Sequence, residues 1–466
     1  MNANQIIKDQ PIKGHQFMKR NIVRAIMASL LLTLFNTGVV MAQDTRIISL
    51  QEAIDLSIKN SKQLKNNKAK IDEATFALKE AIERKLPDFK ITGGYMYLTD
   101  PNINLKTKSE DNGSGGSSGG AMPKVNQAAY GIANVSLPIY SGLRIQYGIE
   151  SAKYLEHATE LDADFNKEQI TLNTIGAFAN LYKSKVSVDV IKENLSQSKQ
   201  RDADFANLEK NGLLARNDML KAALQTSNIE LALVNAENNL ALANVSLNLL
   251  MGLPEKTQLV VDSSSLQVAK GIQTIEDYEQ QAFQSRKDVQ ALGLRQKAAE
   301  TNVKSVKGEY YPSLALTGGY IAADIPGLVT ITNAFNIGVG VQYSPSSLWK
   351  TKSKVEQAKA RERQLMANQE ELSDQIRLQI NQAYQDYVSS TKKIEVAANA
   401  VTQATENYRI TKNKYDNSLV TTTDLLDANV ALLQTKINVE VAKTDAIVAY
   451  NTLLERAGIL TNPQAK

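Results

Sequence analysis

Side chains able to make or break bonds are scarce in this sequence, and they fall into no catalytic pattern. The 466 residues include no cysteine, which excludes thiol nucleophiles, disulfide frameworks, cysteine-ligated metals and a lipidated N-terminal cysteine. There is no glycine-rich phosphate loop followed by lysine, no metal-ligand spacing and no nucleophile elbow. His157 lies in a long proline-free stretch, where a solvated helix position explains it better than a catalytic or metal role. The expectation is a protein that is not an enzyme and holds no cofactor or metal.

Two carboxylates remain. Asp424 and Asp427 lie at and just beyond the end of the turn sequence "YDNSLVTTTDLL", three apart and so on one helix face. A carboxylate in a first helical turn stabilises the helix dipole, and Asp218 holds the equivalent place in an earlier copy of the same pattern. Helix initiation therefore accounts for Asp424. It does not demand an acid at Asp427, whose counterpart is Lys221.

That earlier copy is part of a tandem repeat, which must be recognised before any element is assigned. "ITGGY" ends at Tyr95 and "LTGGY" at Tyr320, an offset of 225 that also relates Pro87 to Pro312 and "SLQE" (49–52) to "TIED" (274–277). Both quartets read as capping boxes that open a helix. From Val135 and Val341 onward the offset is 206, relating Asn211 to Asn417, Asp218 to Asp424, Leu220 to Leu426 and Gly252 to Gly458. The difference, 225 − 206 = 19, arises after the Gly-Gly-Tyr motifs. "EDNGSGGSSGG" (110–120) lies in that interval, so it is an enlarged loop of the first copy and no domain boundary.

Each copy reads as helix, hairpin and two long helices. In "AFNIGVGVQY" Phe335, Ile337, Val339, Val341 and Tyr343 alternate with small or polar residues, the mark of a strand with unlike surroundings on its two faces. "AAYGIANVSL" alternates more loosely, and "FKITGGYMYL" and "SLALTGGYIA" supply the partners. The strands match the about 9–11 residues that span a membrane, yet four strands cannot close a barrel whose smallest examples have about 8. Strands entering lipid would therefore be shared among several chains.

Residues 144–209 and 349–415 contain no proline, which predicts helices about 100 Å long. Leu426, Val430, Leu433, Ile437, Val441 and Val448 form an apolar stripe on the return helix of the second copy. Leu220, Leu224, Leu231 and Leu242 repeat most of it in the first, and the return helices end near Gly252 and Gly458.

At the N-terminus, "MKRNIVRAIMASLLLTLFNTGVVMAQD" has the charged start, short apolar run and Val40-Met41-Ala42 site of a secretory signal peptide, with Met18 as its expected start. An uncleaved anchor or a buried helix is the other reading. Removing 1–42 leaves 53 − 5 = 48 basic and 49 − 1 = 48 acidic side chains, a neutral chain that suggests no nucleic-acid partner. The expected divisions are 1–42 leader, 43–252 first repeat, 253–273 linker, 274–458 second repeat and 459–466 tail.

The duplicated plan, "LPIYSGLR" at a strand-to-helix junction and "YDNSLVTTTDLLDANVALLQTKINVEVAKTDAIVAYNTLLERAGI" near the end resemble the TolC-like outer-membrane efflux family over 49–458. The resemblance implies an α+β fold in which long coiled-coil-like helices form a hollow periplasmic tube. Four β-strands per chain would enter a shared, homotrimeric, twelve-stranded barrel in outer-membrane lipid. It implies an exit duct for efflux or type I secretion, working with a periplasmic adaptor (membrane fusion) protein and an inner-membrane pump or ABC transporter. The positions matching Asp424 and Asp427 line a constricted aperture at the periplasmic tip of the tube, and Tyr415 matches a tyrosine of the closing network. Val420 stands where an arginine of that network often lies. Tyr140, Tyr343 and Trp349, at strand-to-helix junctions, suit an interfacial aromatic belt or plain packing of a bent junction. The alternative is a periplasmic coiled-coil adaptor or scaffold whose hairpins never enter lipid.

Overall fold

The computed structural model describes residues 45–99, 125–262, 264 and 271–461. The leader and the Gly/Ser run lie outside them. In chain order the elements are β1 (Thr45–Ile48), α1 (Leu50–Asn60), α2 (Lys62–Glu83), β2 (Asp88–Tyr97), β3 (Gln127–Tyr140), α3 (Arg144–Lys210), α4 (Arg216–Met251) and β4 (Gln258–Val261). The second repeat follows with α5 (Ile275–Ser285), α6 (Lys287–Lys307), β5 (Ser313–Ile325), β6 (Val329–Gln342), α7 (Ser347–Asp416) and α8 (Thr422–Arg456).

The single helix expected at the start of each repeat is two helices, broken at Ser61 and Arg286, which are 225 apart. Both residues are extended, with ψ of 122° and 126°. Ser61 Oγ caps α2 by accepting from Leu64 N–H at 3.2 Å. Arg286 instead turns its guanidinium to Asp288 (2.7 and 3.1 Å), Gln379 and the carbonyl of Arg456. Of the two expected capping boxes only Thr274–Asp277 is complete, because Glu52 turns its carboxylate to Arg46. Gly252 and Gly458, at φ +70° and +71°, end the return helices against these breaks. A Cβ on Gly252 would lie 2.7 Å from Asn60 Cβ, and one on Gly458 2.8 Å from Arg286 N. Part of the expected linker is also a strand, since β4 pairs in parallel with β1, and Ile48 and Leu259 join Phe178, Leu181, Leu247 and Met251 in one core.

β2, β3, β5 and β6 form an antiparallel sheet in that order, with β2 and β6 as its edges. Asp88 pairs with Ser136, and Ser313 with Gln342, so both hairpins keep one register under the offsets 225 and 206. The 19 extra residues therefore fall beyond the paired region, between β2 and β3. Registered pairs share a face. Phe89, Ile91, Tyr95 and Tyr97 thus align with Ala133, Val135 and Leu137, Leu314, Leu316 and Tyr320, and Phe335, Ile337, Val339 and Val341. The opposite face carries Asp88, Lys90, Thr92, Asn134, Ser136, Ser313, Thr317, Asn336 and Gln342. The first face is continuously apolar over this stretch, and the second mixes these small and polar residues with Met96, Tyr130, Ile132 and Ile321.

At 1.5 Å per residue, α3 (67 residues) and α7 (70 residues) are about 100 Å long. Each packs on its return helix, and α3 also contacts α6 and α8. The first-copy stripe departs from expectation: Leu220, Leu224, Leu231 and Leu242 are more than half exposed, whereas Leu426 is buried. Leu433 and Ile437 carry that side of α8 onto Val188 and Ile191 of α3, and no helix among the described residues does the same for α4.

Midway along α3, Glu168 and Glu455 are buried where the end of α8 meets the α5–α6 break. Burial pushes both carboxyls up: for Glu168 the charges of Glu455 and Asp164 add to it against relief from Thr461 and Lys287, and for Glu455 Asp288 adds to it against Arg456 and Arg286. The folded state then holds these protons more tightly than the unfolded one, so their stabilisation is complete at low pH and is lost as pH rises through the raised values. Glu455→Gln should raise Tm at about pH 8 and leave it nearly unchanged at about pH 4. Parallel thermal melts at the two pH values check this.

Candidate functional site

The far end of the tube is made by two turns, α3 to α4 and α7 to α8. Thr421 and Asp424 form a full capping box there: Thr421 N–H and Oγ1 donate to Asp424 Oδ2 at 2.8 and 2.6 Å, and Asp424 N–H donates to Thr421 Oγ1 at 3.3 Å. The Thr421 hydroxyl and amide hold the Asp424 carboxyl below its usual range. Asp424 is thus engaged in starting α8. Asp218 is not its twin in detail, since α4 opens on Ala215 without a side-chain cap and Asp218 lies 3.5 Å from Lys221.

Asp427 is exposed one turn further on and makes no hydrogen bond or ion pair among the described residues. Tyr415 sits apart from both, its ring 5.6 Å from Phe205 and its hydroxyl 3.5 Å from Thr422 Oγ1. Phe205, Ala222, Leu425, Tyr408 and Tyr415 make an apolar cluster to which all four helices contribute.

The sequence reading missed Arg201. It stands near Tyr408 and Tyr415, with Nη2 donating to Ser198 Oγ at 2.9 Å, and burial lowers its pKa against the pull of both tyrosines and Asp202. Its Nε has no hydrogen-bond partner among the described residues. A cation is therefore present beside Tyr415, supplied by the first repeat and not by position 420. The signal was available in the spacing Ile191, Asn194, Ser198, Arg201, Phe205, which steps by three and four along one helix stripe.

At the opposite end of α3 and α7, Tyr140 closes β3 opposite Leu314. Tyr343 directly follows β6 and is 45% exposed, while Trp349 in the first turn of α7 is 65% exposed. These three stand at the border between the apolar sheet face and the helices. Phe335 (78%) and Ile337 (83%) are the most open of that face. His157 lies on the half-exposed surface of α3, Nδ1 3.0 Å from Glu160 Oε2, as a solvated helix position would. No helix among the described residues is long and apolar enough to cross a membrane.

Residues 279–458 match the family model described as outer membrane efflux protein. No curated protein matches the chain. Among solved structures it is similar to the outer-membrane channel OprN, at 16% identity and a TM-score of 0.72, covering 88% of this chain and 89% of that one. For the outer membrane protein VceC of Vibrio cholerae the values are 17%, 0.71, 88% and 96%. For the CmeC outer membrane channel of Campylobacter jejuni they are 16%, 0.71, 88% and 86%. At such identities the likeness is one of fold, and it takes in both repeats. The chain thus carries the outer membrane efflux protein pattern in its second repeat and the fold of these channels along its length.

Proposed function

We propose that this protein is the outer-membrane exit duct of an efflux or type I secretion system, with its helical tube in the periplasm. The observation that carries the reading is the four-stranded sheet. One face is apolar and exposed, the other is largely small or polar, and both edges are unpaired among the described residues. Open edges and an uncovered apolar face are costly in water and resolved together by closing a barrel in lipid. A scaffold that stays in the periplasm has no use for that face.

Three copies would give twelve strands, with β6 of one chain beside β2 of the next in antiparallel sense. The homotrimer, the periplasmic adaptor and the inner-membrane pump or ABC transporter are the partners this reading calls for. Tyr140, Tyr343 and Trp349 would then lie at the level of the lipid headgroups. Fractionation with planar-bilayer recording tests the reading: an SDS-resistant oligomer from outer membranes with discrete conductance is expected, and a soluble, non-conducting protein would overturn it.

At the tip, Asp427 is the free carboxylate and Asp424 the capped one, with Tyr415 behind them in the closing cluster. A ring of Asp427 carboxylates would favour cations in the aperture. Asp427→Asn should lower cation preference and block by multivalent cations by about threefold or more, a loss of about 0.7 kcal/mol or more per bound cation. Matched reversal-potential recordings read it out, and unchanged selectivity removes Asp427 from the aperture. Deleting 110–120 should leave the barrel assembled, because the paired registers lie outside that segment.

A further inference from the structure

A cavity of about 710 Å³ lies within the single chain where the sheet meets α2, α3 and α6. Ala81 of α2 and Ile145, Ala152 and Leu155 of α3 give it an apolar wall, and Pro138, Ser313 and Ala315 close its sheet end. Pro138 and Ala315 are registered partners, and Ser313, Ala315 and Thr317 alternate along the polar side of β5. A barrel that turns its apolar face to lipid turns this side inward, so the cavity opens to the lumen.

Two guanidinium groups border the apolar wall. Arg84, at the end of α2, lies 3.0 Å from Glu80 of the same helix. Arg144, which ends "LPIYSGLR", donates from Nε to the carbonyl of Ser141 at 3.0 Å and makes no ion pair among the described residues. Two cations and one carboxylate leave the lining with a net positive charge.

The duplication provides an internal comparison. By the offset of 206 Gly148 corresponds to Lys354 and Ile145 to Thr351, and by the offset of 225 Arg84 corresponds to Glu309. In the second repeat Lys354 Nζ lies 2.8 Å from Glu309 Oε2, and Thr351 Oγ1 donates to the same oxygen at 3.4 Å. That place is therefore filled and neutralised from within. In the first repeat Gly148 has no side chain, and an added Cβ would meet nothing within 4 Å. Arg84 puts a cation where the second repeat has its carboxylate. Whatever neutralises this hollow must bring its own negative charge, together with an apolar body to cover the wall.

We infer that the cavity binds an organic anion, a carboxylate or sulfonate carried on an apolar ring or chain, with Arg144 and Arg84 at the acid group and Ile145, Ala152 and Leu155 against the apolar body. Its volume suits a ligand of drug size. The site gives cargo of this class a resting place just below the barrel, at the opposite end of the tube from Asp427. Its placement in the lumen rests on the duct reading above, whereas the cavity itself lies within one chain.

Naphthalenesulfonate is the test ligand, with naphthylmethylammonium as the control of opposite charge and inorganic sulfate as the control without an apolar body. Full-length oligomer in phosphatidylcholine nanodiscs is dialysed to equilibrium against each, with empty nanodiscs as the blank, and the same preparation is recorded in planar bilayers. Naphthalenesulfonate should be retained well above both controls. Arg144→Gln and Gly148→Leu should each raise its dissociation constant by about tenfold or more, the first by removing a charge and the second by filling the hollow. Lys350→Gln, at the counterpart of Arg144, should change it by less than about twofold. Arg144 also holds the Ser141 carbonyl, so Gly148→Leu, which favours the helix, decides the matter if Arg144→Gln does not assemble. Retention no better than that of either control, or unchanged affinity in Gly148→Leu, overturns the inference, and a conducting oligomer then leaves the duct standing. Selective retention by a protein that does not conduct keeps the cavity and overturns the duct.

Discussion

Gly142→Ala should remove most of the assembled protein from the outer membrane. Gly142 joins β3 to α3 at φ +65°, and Leu143 follows at φ +63°, so the chain turns through two consecutive left-handed residues. An added Cβ at 142 would lie 2.2 Å from the carbonyl oxygen of Gly308, and a Cβ at 308 would lie 2.4 Å from that of Gly142. Two backbones touch here, one from each repeat, where the sheet hands over to the helices. The left-handed conformation costs alanine about 1–2 kcal/mol, and relieving the overlap with a backbone atom costs about 1–3 kcal/mol more. A total of about 2–5 kcal/mol is a large share of a domain's net stability. Gly212, at φ +71° in the α3–α4 turn, has nothing within reach of a Cβ and is the control. Gly212→Ala should lose only the left-handed cost of about 1–2 kcal/mol. Yield of SDS-resistant oligomer and Tm compare the two, and equal behaviour would refute the close-approach argument.

Ile337→Lys should be excluded from the membrane, while Asn336→Lys should assemble. The two residues are neighbours on β6 and point to opposite faces, Ile337 beside Gly318 and Asn336 beside Gly319. If the apolar face meets lipid, a lysine near mid-bilayer costs about 2–4 kcal/mol in every chain of the barrel. On the polar face the same charge stays hydrated and alters the pore instead. The expected results are therefore a large loss of outer-membrane oligomer for Ile337→Lys, and normal assembly with changed conductance or selectivity for Asn336→Lys. Equal assembly of both would remove the sheet from lipid.

Features generated by local spacing could be read without coordinates. The alternation of Phe335 to Val341, the proline-free runs and the matched glycines at 252 and 458 all appear as expected. The constancy of the offset from Asn211/Asn417 to Gly252/Gly458 also foretold that the α3–α4 and α7–α8 turns and return helices would superpose in length. Features that depend on a distant partner could not be read in this way. Thr45–Ile48 and Gln258–Val261 are too short and unremarkable to be strands until each meets the other. The break at Arg286 needs Asp288, Gln379 and the end of α8 to hold the guanidinium. The packing of Tyr415 on Phe205, from the other repeat, likewise depends on a distant partner.

What the sequence determined by itself is the duplicated plan, the element lengths and the alternating faces of the strands, because these follow from chain periodicities of two and about 3.6 residues. It also excluded cysteine-based chemistry outright. The tertiary structure decided which apolar stripe is covered and which is left open. Leu426 and Leu220 occupy equivalent positions, but the first is buried and the second half exposed, and α8 packs on α3 of the first coil as well as on its own α7. Two copies of one pattern in a single chain have one junction between them and two free flanks, so equivalent residues meet unlike surroundings.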